Sequence, residues 1–189
     1  MLDFLCMNVK PVLNAAVSSI SEDINAVQRI IIVDIINDAY RKAEKGYLKP
    51  TDIMVLQQKL PNNENTKLII GCIVERFRQT AYSKYRDYSC ELERNLSLVV
   101  RARGIPDYMR EHIDHDVRKV LMFAHMGKMS ADNIDAIKYT YGYLFAEDHA
   151  RFDIVINCLN NINDIEYAYS QVIAISSPDD NPNKWSDAV

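Results

Sequence analysis

The chain has 189 residues, 48% of them apolar, with five glycines, six prolines and a net charge of −4. It is long enough to bury a core without disulfides, and too poor in glycine for the tight turns and phosphate loops of all-β or doubly wound folds. No apolar span long enough to cross a membrane is present, and residues 1–13 do not read as a secretion signal, so a soluble cytoplasmic protein with no membrane association is expected. Charge is unevenly spread: residues 1–73 are balanced, 74–128 carry three surplus positive charges, and 129–189 carry seven surplus negative ones.

In chain order, Leu5, Val9, Val12, Leu13, Ala16, Val17 and Ile20 follow the helical period and predict a first helix. Ser21 offers an N-cap, with Glu22 and Asp23 favourable to a helix dipole, for a second helix reaching Lys45. The centre of that helix, Ile30 to Ile36, is apolar nearly all round, which suits the middle of a bundle. A glycine turn at Gly46 leads to a short helix marked by Ile53, Leu56 and Leu60, stopped by Pro61. From Thr66 to Ala102 apolar residues recur every three or four positions, and a break near Arg86 to Ser89 is expected because Asp87 and Ser89 compete for backbone hydrogen bonds. The stretch Arg103 to Pro106 is the clearest boundary. Helices are then expected over Asp107 to Met126, Ala131 to Phe145 and Asp148 to Asn160, with a last one after Asn163 through Ile175. Residues 176–189 read as a flexible acidic tail.

The two halves of this order can be set on one another as an internal duplication, although any two amphipathic helical regions align apolar on apolar. At a shift of 81, Ile36 meets Val117, Ala43 meets Ala124, Gly46 meets Gly127 and Ile53 meets Ile134. With loop insertions, Ile69 meets Val155, Cys72 meets Cys158 and Ala81 meets Ala168. The reading is a single helical domain over 1–175, with repeat halves 21–103 and 105–175 built from a duplicated unit of three to four helices. The entry helix of the first half is far more apolar than its counterpart and is expected to lie at the centre.

No catalytic signature emerges. The two turns lack the alternating carboxylates of a calcium loop, and neither G-x-x-x-x-G-K-[ST], G-x-G-x-x-G nor G-x-S-x-G occurs. His112, His115 and Asp116 are the metal-ligand candidates, since two histidines three apart share a helix face. The doublet His115-Asp116 is similar to that of the HD-type phosphohydrolases, but no histidine precedes His112, whereas that pattern needs an upstream ligand. Both histidines also point away from the core face of Ile113, Val117 and Ala124, so a solvated face is the expectation, with no metal and no cofactor. His125 and His149 read as structural, and Cys6, Cys72, Cys90 and Cys158, without C-x-x-C spacing, read as small buried hydrophobes of a reducing compartment.

Arg76, Arg78, Lys84, Arg86, Arg94, Arg101 and Arg103, interleaved with tyrosines, are the nucleic-acid candidates. Glu75, Asp87, Glu91 and Glu93 among them favour a salt-bridged face. Tyr82, Tyr85, Tyr88 and the lone Trp185 are the candidate partner-binding residues. The expected function is therefore that of a non-catalytic adaptor or inhibitor binding a protein partner through a helix face or groove, or joining copies of itself as a homo-oligomer. Nucleic-acid binding is the alternative and a metal-dependent HD-like phosphohydrolase the third; the composition, rich in Ile, Asn and Tyr, would suit a viral protein.

Overall fold

The computed structural model describes residues 9–21, 25–102, 104–145 and 149–176. These are almost entirely helical, with no strand among them: α1 (Val9–Ser21), α2 (Ala26–Lys45), α3 (Pro50–Lys59), α4 (Glu64–Val99), α5 (Asp107–His125), α6 (Ala131–Tyr141) and α7 (His149–Ser176), with a 3-10 turn at Gly142–Phe145 after α6. The all-α expectation holds. The described chain divides into two units, one taking in the residues up to Tyr82 together with those from Ala168, the other spanning Ser83–Tyr167. Thus α4 and α7 each lend residues to both.

The first unit closes around Leu13, Ala16 and Ile20 of α1, Ile36, Ala39 and Ala43 of α2, Ile53 and Leu56 of α3, and Ile69, Ile73 and Phe77 of α4. Val172 of α7 is fully buried there, and the Tyr169 ring stacks on Phe77 with centroids 6.4 Å apart. The second unit closes around Leu92, Leu96 and Val99 of α4, Ile113, Val117 and Ala124 of α5, Ile134 and Ile137 of α6, and Phe152, Val155, Leu159 and Ile162 of α7. Phe145 of the 3-10 turn stacks on Phe152 at 4.5 Å. Matched positions are buried alike: Ala43 and Ala124 are both fully buried, as are Ile73 and Leu159. The buried spacing Val9, Leu13, Ala16 on α1 recurs as Leu92, Leu96, Val99 on α4, each set just ahead of its unit's entry helix.

The turns repeat in atomic detail. Gly46 and Gly127 take positive φ, 76° and 63°, where a Cβ would be strained. Gly46 N donates to Ala43 O and Tyr47 N to Lys42 O, while Gly127 N donates to Ala124 O and Lys128 N to Phe123 O, so both helices end in the same paired-bond cap. Asp52 Oδ2 then accepts from Lys49 N at 2.9 Å, and Asn133 Oδ1 from Ser130 N at 3.1 Å, starting α3 and α6 alike. Thr51 lies inside α3, and the cap belongs to Lys49 with Asp52.

Four details depart from the sequence reading. Asn25, not Ser21, caps α2: its Oδ1 accepts from Gln28 N at 2.9 Å, while Ser21 ends α1. Helix α4 runs unbroken for 36 residues, about 54 Å. The expected break at Arg86 to Ser89 fails because Asp87 is solvated and the buried Ser89 Oγ makes no hydrogen bond, so neither takes a backbone partner. Helix α7 passes without interruption through Asn161 to Asn163, because Ile162 between them is fully buried and holds the segment against the core. Helix α6 proper stops at Tyr141, and Gly142–Phe145 tightens into the 3-10 turn. The tail from residue 177 lies outside the described residues.

Candidate docking face

The entry helix of the first unit is not enclosed. Burial on α2 starts at Ile36, and its first turns leave Val27, Ile30 and Ile31 exposed at 69%, 63% and 53%. This corrects the expectation that Ile30 to Ile36 sits at the middle of a bundle: the run is apolar all round, yet only the side carrying Ile36 reaches the core. Single exposed aliphatics are ordinary, whereas several grouped on one helix face are not.

Further along, the exposed face of α2 meets α3 in a groove of about 360 Å3 lined by Asp34, Ile35, Asp38, Ala39, Lys42, Asp52 and Val55. The floor is apolar and the walls are acidic. Lys42 Nζ donates to Asp52 Oδ1 at 2.7 Å and lies 2.8 Å from Asp38 Oδ2. The Lys42 hydrogen bond holds the Asp38 carboxyl below its ordinary pKa, and Asp38 and Asp52 together raise that of Lys42. Arg41 reaches Asp38 from outside at 3.8 Å. Asp34, exposed, has no partner among the described residues. From Val27 to Asp38 the face runs about 16 Å along the helix axis.

The second unit has the same positions with different chemistry. Val27, Ile30, Ile31 and Ile35 correspond to Tyr108, Glu111, His112 and Asp116, and Met54 and Val55 of α3 to Asp135 and Ala136 of α6. Tyr108, Glu111, His112 and Asp135 are exposed as their counterparts are. The packing therefore leaves this face open in both units, and only the first makes it apolar.

The residues singled out from sequence are scattered. Tyr85 is buried, with its hydroxyl 3.1 Å from the His125 ring nitrogens; burial lowers the His125 pKa. Tyr88 packs half-buried against the second core, and Tyr82 is half-buried too, so none of the three offers an open aromatic surface. Trp185 and Arg103 lie outside the described residues. Arg76 pairs with Glu44 at 3.6 Å and Arg78 forks onto Glu75 at 2.7 and 2.8 Å. Lys84 is half-buried, while Arg86, Arg94 and Arg101 are exposed.

His112 is exposed, and His115 Nδ1 lies 3.1 Å from Asp116 Oδ1. The other Asp116 oxygen accepts from the Tyr141 hydroxyl at 2.5 Å, which holds the Asp116 carboxyl below its ordinary pKa. Burial, with the Asp116 charge beside it, pushes Tyr141 up to about 12. Asp116 is thus a strut tying α5 to α6, and no cluster of three metal-ligating side chains occurs among the described residues. Cys72 and Cys158 are free and buried, whereas Cys90 is exposed, against expectation, because it faces outward on α4.

The groove carboxylates were missed from sequence. Their signal was the spacing Asp34, Asp38, Lys42, one helical face at intervals of four, facing Asp52 just beyond the glycine turn. No helix among the described residues is long and apolar enough to cross a membrane. No protein-family model matches the chain, and neither a curated protein nor a solved structure does.

Proposed function

We propose that the protein is a non-catalytic helical adaptor or inhibitor that binds a protein partner through the α2–α3 face of its first unit. One observation carries this reading: Val27, Ile30, Ile31, Met54 and Val55 are exposed at positions that the second unit fills mostly with polar side chains. The fold does not require apolar residues there, and an exposed apolar cluster costs solubility unless something covers it. Capture of partners from the native host by the wild-type chain and by the Ile30→Asp/Ile31→Asp variant tests it. A defined protein, identified by mass, should be recovered with the first and lost with the second at unchanged helicity and melting temperature; retention by the variant would refute the face. The buried free thiols Cys72 and Cys158 favour a reducing, cytoplasmic setting for this encounter.

A second reading rests on Arg86 and Arg94 of α4 and Arg101 in the turn after it, all exposed and with no carboxylate partner among the described residues. Arg86 and Arg94 lie about 12 Å apart along the helix axis, a spacing over which phosphates of a nucleic-acid strand are reached. Asp87 and Glu91 beside them reduce the local field. Binding of labelled single-stranded nucleic acid that weakens steeply with salt and with Arg94→Ala would support it, and no binding at low salt would remove it.

A further inference from the structure

We infer that the segment docking on the α2–α3 face is an amphipathic helix carrying a lysine or arginine beside its apolar ridge; this rests on that face being the docking surface. The shape is the first ground. The apolar stripe of Val27, Ile30, Ile31 and Ile35 follows the α2 axis and leads into the groove beside Val55. The stripe and groove together, about 16 Å from Val27 to Asp38, take roughly three turns of helix, read by apolar residues at i, i+4 and i+7.

Charge is the second ground, and it selects among helices. In the groove Lys42 is already shared by Asp38 and Asp52, and Arg41 adds only a distant pair to Asp38. Asp34, one turn beyond Ile30 and Ile31, is the groove carboxylate with no cation partner among the described residues, so the stripe leads to a negative charge that no described cation pairs. A partner acid at that place meets like charge, while a partner cation forms a charge-assisted pair at the edge of a dry patch. The same acidic edge repels an anionic lipid surface, so a bilayer is not the favoured occupant.

The test uses the full chain with two labelled synthetic helices of one apolar pattern, leucine–lysine and leucine–glutamate, followed by fluorescence anisotropy. The leucine–lysine helix should bind and its counterpart should not. Ile31→Asp should weaken binding by about tenfold or more, and Asp34→Asn by about threefold with a shallower salt dependence. Equal binding of both helices, or indifference to Asp34→Asn, overturns the cationic partner and leaves the docking face standing. Indifference to Ile31→Asp with Asp34→Asn still effective overturns the face itself. Sedimentation of the unliganded protein adds a separate check: a dimer that Ile31→Asp converts to monomer makes a second copy the occupant and overturns the inference.

Discussion

Helices α2 and α5 occupy matched places in the two units, end in the same glycine cap and bury matched alanines, yet their outward faces have diverged in kind. On α5 the open positions are Tyr108, Glu111 and His112; on α2 they are Val27, Ile30 and Ile31. The inward faces are alike from Ile36 and Val117 onward, whereas one turn earlier Ile113 is fully buried and its counterpart Ile32 only half-buried. The polar face shows what the architecture tolerates in water, and it makes the apolar one informative.

If the inward faces are truly equivalent, Ile53→Ala and Ile134→Ala should each destabilise by about 2–4 kcal/mol, since both side chains are almost fully buried. Chemical denaturation measures this, and a cost near zero for either would show that the units are packed differently. Next in size is a group that breaks the equivalence. Burial pushes Glu166 up to about 7, while the position matched to it, when Ala81 is set on Ala168, is the neutral Gln79. A carboxyl with a raised folded pKa stabilises fully below its unfolded pKa, near 4.5, and that contribution is lost as pH rises through about 7. Glu166→Gln should therefore gain on the wild type by about 1–2 kcal/mol at pH 8 and lose the advantage at pH 4. A constant difference across that range would show that Glu166 is hydrated in both states.

The caps come next. Gly46→Ala and Gly127→Ala should each cost about 1 kcal/mol, because both glycines hold positive φ. Thermal melts of the two variants should shift together, and a shift in only one would separate the turns. The outward faces should give the smallest stability changes: Ile31→Asp and His112→Asp are both expected within about 0.5 kcal/mol of wild type. Binding should separate them, since only Ile31→Asp lies on the proposed docking face.

Much of the fold was legible. Glycine at 46 and 127 announced the turns, and the recurring apolar positions of α5 named its core face: Ile113, Val117 and Ala124 are all fully buried. Breakers and burial were less legible. Asn161 and Asn163 look like a stop in isolation, but the burial of Ile162 outweighs their local preference. Ile30 to Ile36 looked like a central helix because periodicity reports which residues are apolar, and cannot report that a neighbour is missing on one side. The candidate face was thus hidden inside what read as the best-buried segment. The contrast with Glu111 and His112, already visible in the repeat, was the clue to it.

The unbroken course of α4 has a mechanical consequence. Its residues up to Tyr82 belong to one unit and those from Ser83 to the other, and α7 is divided in the same manner between Tyr167 and Ala168. A cut at Gly104, between the two halves read from the sequence, would deprive the first unit of Val172 and the second of Leu92, Leu96 and Val99. The halves are therefore not separable modules, and melting either should fray a helix on which the other depends. Heat should take the protein apart in a single step, and two separate calorimetric transitions would show the units to be independent.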